Sequence, residues 1–230
     1  MKQIPWSATA ALIGIGYFLI AVVASYVVNP EYTLVRSFTA VGNYDLGPHE
    51  FLVASTYFGL GLGSLALMIG LYQATPRSAL SWVGLPLLGI WGAAMLVAGI
   101  FPSAKPGGTV PHMTTVLLAG VFAVTAEGYP ETIFGVIHIF ASFWAFFSLT
   151  LAAVLLAWGS ERDERWRPLH RLGLTLALVM LAALCWILAA IFRVIQMQAF
   201  VLWVLTIAGL MWLLLMAIRL RLVAAASALN

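Results

Sequence analysis

Charge is what this 230-residue chain has least of: Asp, Glu, Lys and Arg together make up 8% of it, against about a quarter in a soluble domain. So few charged groups cannot cover a water-facing surface. With 63% hydrophobic residues and a mean hydropathy of +1.03, the composition is that of a membrane protein. Cysteine is nearly missing. Cys185 stands alone, which excludes an internal disulfide and any multi-cysteine metal or iron–sulfur site; its apolar surroundings make it a small packing residue. Acids are missing from the apolar runs, where a coupled ion carrier would keep one. The net charge of +3 is not gathered into a basic stripe with interleaved aromatics, which argues against a nucleic-acid partner. No loop is long enough to fold as a separate soluble domain, so residues 1–230 are expected to form a single integral membrane domain.

What is present is a series of apolar runs at 8–28, 51–73, 80–101, 133–158, 172–192 and 199–218. In hydrocarbon every backbone polar group needs an internal partner, so runs of this length are helices and the fold class is an all-α polytopic bundle of six spanning helices. The first run, preceded by Lys2, resembles a signal peptide with a Val22-x-Ala24 cleavage site, but 21 residues exceed a usual signal core and it is taken as the first span. Asn29-Pro30, Gly47-Pro48, Thr75-Pro76, Phe101-Pro102 and Arg167-Pro168 fall between the runs, where proline removes no buried hydrogen bond. The positive-inside rule places both termini in the cytoplasm, with Lys2, Arg77, Arg162, Arg165, Arg167, Arg171, Arg219 and Arg221 inside and Arg36, Lys105 and Arg193 outside. A further apolar segment, 113–126, is short for a span; counting it as one would reverse that bias, so it is expected to be interfacial or re-entrant at the outer surface.

Within the spans one ionisable side chain stands out, His138, five residues into the fourth run and so about 7–8 Å below its outer end. Its ordinary role is a packing hydrogen bond to a neighbouring helix. Its functional role would be as a ligand, for example the axial ligand to the magnesium of a pigment. A bis-histidine haem is excluded, because His170 belongs to the inner side. Trp144, with Phe140, Phe146 and Phe147, offers a wall for a lipid or other apolar molecule, and Ser142 lies one turn from His138; these three residues, His138, Ser142 and Trp144, are the candidate ligand-binding set. No catalytic residues are assigned.

On the outer side His49, Glu50 and His112 are candidate metal ligands by residue type, although neither HExxH nor HxxxH spacing is present. The glycines carry a clearer message. Gly59 and Gly63 in the second run form a GxxxG pair, and Gly89 and Gly92 in the third are similarly placed for close helix packing. Trp6, Trp158 and Trp166 mark predicted inner boundaries, and the serines and threonines in the spans are expected to bond back to their own helices.

The stretch from Tyr32 to Gly47 (YTLVRSFTAVGNYDLG), the Gly-rich second span, Phe101-Pro102 and Gly135-x-x-His138 resemble the DUF998 family of uncharacterised bacterial six-span membrane proteins. In typical members a short loop joins the FP and G-x-x-H elements, whereas here about 30 residues intervene, so 113–126 reads as an insertion. The resemblance implies a bacterial inner-membrane location and singles out His138, and it implies no activity.

These observations together lead to the expectation of a protein without catalysis of its own, an accessory or assembly subunit in a larger membrane complex. It would contact membrane lipids, other membrane subunits and, through His138, a bound lipid or pigment. The alternative is an enzyme or carrier for lipid or small apolar molecules, with a site near His138 beneath an outer lid formed by 113–126.

Overall fold

The computed structural model describes residues 4–28, 50–75, 78–101, 133–161, 163–191 and 199–226. These form helices α1 (Ile4–Val28), α2 (Glu50–Ala74), α3 (Ala79–Ile100), α4 (Ile133–Gly159), α5 (Arg167–Ile191) and α6 (Ala199–Ala226), with no strand among the described residues. All six are long and apolar enough to cross a membrane. The segment 113–126 lies outside the described residues.

Helix and hydrocarbon run do not share the same ends. α5 begins at Arg167, five residues before its apolar run, and Pro168 sits in its first turn, where the missing N–H has no intrahelical partner to lose. α6 continues past Ile218 through Arg219 and Arg221 to Ala226. α3 runs unbroken through Pro86, whose ring is exposed on the outside of the bundle. Ser78 caps the start of α3, its hydroxyl accepting the Ser81 N–H at 3.1 Å.

Each helix packs on its neighbours in sequence, and α1 packs on α6, so the six close into a ring; α6 also reaches α2 and α4. Consecutive helices are antiparallel. Tyr17 of α1 meets Ser55 of α2 at 2.6 Å, for example, while a Cβ at Gly70, near the other end of α2, would run into the Ser7 hydroxyl and Leu220. Leu205, Trp212, Leu213, Ala217 and Leu220 of α6 are buried in the centre. The outer face carries large apolar side chains such as Ile20, Leu62, Val83 and Ile207, the inverse of a water-soluble surface.

The closest approaches are made by glycine. Gly59 and Gly63 lie four residues apart on the face of α2 that meets α1: a Cβ on Gly63 would stand 3.1 Å from the Gly14 Cα, and one on Gly59 would strike the Tyr17 ring at 2.5 Å. Gly61 lies between them in sequence and therefore on the opposite face, where its added Cβ would meet the Gly92 carbonyl oxygen at 2.8 Å. One helix thus presents two backbone-close faces, one to α1 and one to α3. Gly89 faces Met68, whose sulfur would lie 2.8 Å from an added Cβ.

Several polar groups depart from the local pattern. Ser55, Ser148, Thr150 and Thr175 do bond back to their own helices. Ser64 instead accepts the Trp91 indole N–H from α3 at 2.9 Å, a buried interhelical bond. Trp6 and Trp158 are exposed, as boundary anchors should be, but Trp166 is 2% exposed and belongs to the core. Cys185 faces outward from α5 rather than packing inside.

Candidate functional site

His138 stands in the second turn of α4, 4% exposed, and turns inward towards α3. Its Nδ1 lies 3.0 Å from the carbonyl oxygen of Ala98 and 3.0 Å from that of Phe101. Both partners are acceptors only, so Nδ1 carries the proton and donates to the two carbonyls. The sequence explains why the Ala98 oxygen needs a donor. In a regular helix the Ala98 carbonyl would accept the N–H of residue 102, and residue 102 is proline, which has none. The last regular bond of α3 is from the Phe101 N–H to the Val97 oxygen at 3.0 Å. His138 therefore supplies across the helix interface what Pro102 withholds along the chain, and the Phe101-Pro102 and Gly135-x-x-His138 elements work as one fastening. The Tyr57 ring of α2 meets the imidazole edge-on at 5.8 Å, so three helices converge on it.

The same arrangement recurs at the opposite end of the bundle. His170, in the first turn of α5, places Nδ1 2.9 Å from the Ala157 oxygen near the end of α4, an oxygen that also accepts from the Ser160 hydroxyl at 2.8 Å. Each histidine, at the start of one helix, thus donates to late carbonyls of the helix before it, where intrahelical donors run out. The two lie at opposite ends of the bundle.

The other candidates are placed differently. Trp144 is 42% exposed on the outside of α4, six residues and therefore about 120° away from the inward face of His138. It stacks edge-on with Phe140, Phe143 and Phe147 in an outward-facing aromatic wall, while Phe146 turns inward to Trp91 at 5.6 Å. Ser142 is half-buried. The structure thus does not gather His138 and Trp144 around one cavity. His49 and His112 lie outside the described residues; Glu50 opens α2. Among the described residues no group of three His, Cys, Asp or Glu side chains comes together.

Missed in the sequence was the α4–α5 turn. Asp163 accepts from the backbone N–H of Arg165 at 2.9 Å and pairs with its guanidinium at 2.7 Å, and Arg219 of α6 donates to the Arg165 carbonyl. The Arg165 hydrogen bond holds the Asp163 carboxyl below its ordinary 3.8, helped by the charges of Arg165 and Arg219. A depressed carboxyl stabilises the fold above its unfolded value, and that contribution disappears as the pH falls below 3.8 through the depressed one. Asp163→Asn is accordingly expected to lower the unfolding temperature slightly at neutral pH, as suits a pair in which Arg165 is largely exposed, and the gap should close on acidification; thermal scans of both proteins across the acid range check it.

The family model described as "Protein of unknown function (DUF998)" matches residues 12–219. No curated protein and no solved structure matches the chain.

Proposed function

Starting from a chain that belongs to the DUF998 family, we propose a non-catalytic integral membrane protein, a single domain that serves as an accessory or assembly subunit of a larger membrane complex. The observation that carries this reading is the engagement of His138: its Nδ1–H is committed to backbone carbonyls of α3, so the ionisable side chain that most invited a chemical role serves the packing of the bundle. The reading places the protein in a bacterial cytoplasmic membrane with both termini on the cytoplasmic side, because the described arginines of α5 and α6 gather at one end of the bundle.

A second reading, a handler of lipid or small apolar molecules, draws support from the aromatic wall of Phe140, Trp144 and Phe147 on the outside of α4. Such a molecule would lie along that outer face, with Trp144 as its main contact. Purification in mild detergent at native expression level, followed by intact-assembly mass spectrometry and an absorption spectrum, separates the two. Stoichiometric protein partners are expected. A lone chain carrying a defined lipid that is lost with Trp144→Ala would replace the first reading with the second.

A further inference from the structure

The charges of α5 and α6 are of one sign. Neither helix contains an acid, and their cations are Arg167 and Arg171 at the start of α5 and Arg219 and Arg221 near the end of α6. The two helices are antiparallel neighbours, and their relative level is set by Gly173, where an added Cβ would lie 3.4 Å from the Met216 side chain. Counting about 1.5 Å per residue from that contact puts all four arginines in a layer about 6 Å deep at one end of the bundle. Arg219 is engaged with the Arg165 carbonyl, and Arg165 with Asp163. Arg167, Arg171 and Arg221 are exposed and have no carboxylate partner among the described residues. Glu161 and Glu164 lie on the turn beyond the helices. Directly beside these cations the surface is apolar: Leu172 is 49% and Leu222 55% exposed.

Uncompensated guanidinium groups at the edge of a hydrocarbon-facing surface call for an anion that brings its own apolar body. We propose that this end of the α5–α6 pair binds anionic phospholipid, one phosphate meeting Arg167 and Arg171, which lie one turn apart on one exposed face of α5, and a second meeting Arg221 on α6, with acyl chains lying over the exposed apolar side chains beside them, such as Leu172 and Leu222. Guanidinium suits the site because its planar donors match phosphate oxygens, and each basic residue near an anionic membrane surface contributes about fivefold in affinity. This inference does not depend on the accessory-subunit reading.

The test uses the full chain in nanodiscs of phosphatidylcholine alone or with phosphatidylglycerol, reading the unfolding temperature and the phosphatidylglycerol retained in native mass spectra. The wild type should be stabilised by phosphatidylglycerol and retain it selectively. The triple variant Arg167→Gln, Arg171→Gln, Arg221→Gln should lose about fivefold in that preference for each arginine removed from a site, while the corresponding Lys variant, which keeps the charge, should retain most of it. An unchanged preference in the Gln variant would overturn the proposal, as would stabilisation by glycerol phosphate in phosphatidylcholine discs equal to that by the lipid, since the site would then be one for a soluble anion. Should the Gln variant not fold, single substitutions at Arg171 and Arg221 decide by the same readings.

Discussion

His138→Phe is expected to lower stability by about 1–2 kcal/mol and His138→Ala by about 3 kcal/mol, measured as unfolding free energy in mixed detergent micelles. Phenylalanine fills the space but leaves the Ala98 and Phe101 oxygens without the donor that reaches them from α4, whereas alanine adds a cavity. The mechanism makes a sharper demand on the double variant. Pro102→Ala restores a peptide N–H four residues after Ala98, so in that background His138→Phe should cost less, with a coupling of about 1 kcal/mol. Strict additivity would show that the histidine does not substitute for the proline's missing donor. If His138 instead held a pigment or lipid, the Phe variant would lose that molecule while its stability followed the loss.

Two glycines of α1 lie two residues apart and should respond in opposite directions. A Cβ at Gly14 would run into the carbonyl oxygen of Gly59 and stand 2.9 Å from the Cα of Gly63, and backbone cannot move aside as a side-chain tip can. Gly14→Ala should therefore push α1 from α2 and cost about 1–3 kcal/mol, with Gly14→Leu preventing the pair from closing. At Gly16 an added Cβ meets nothing within 4 Å. Gly16→Ala should be neutral or stabilising by about 0.5–1 kcal/mol, because alanine is the better helix former. Thermal unfolding of the two alanine variants side by side is sufficient. Equal losses would mean that α1 does not approach α2 through Gly14.

Gly14 also shows where reading along the chain stops. The GxxxG pair of Gly59 and Gly63 is a recognisable pattern, but its counterpart on α1 is a single glycine in a Gly-x-Gly stretch, and nothing local distinguishes Gly14 from Gly16. Trp166 is a similar case. A tryptophan beside arginines at a helix boundary has the composition of an interfacial anchor, yet the turn that Asp163 and Arg165 shape, held to α6 through Arg219, carries it into the core. His138 was legible as the buried ionisable group of the fourth span. Its donor role was not, because the partner oxygens lie 37 and 40 residues earlier in the chain.

The amino-acid sequence by itself determined that the described apolar runs are helices able to cross a membrane and that the chain has the character of its family, since hydrocarbon forces each long apolar run to satisfy its own backbone. Rotation of each helix about its axis was decided only by the tertiary structure. Most spans here are apolar all round, so no hydrophobic stripe marks an inward face, and the orientation follows from which small residues let backbones meet and which carbonyls need a donor. That choice turned His138 towards α3 and Trp144 outward, and separated two residues that lie less than two turns apart on one helix.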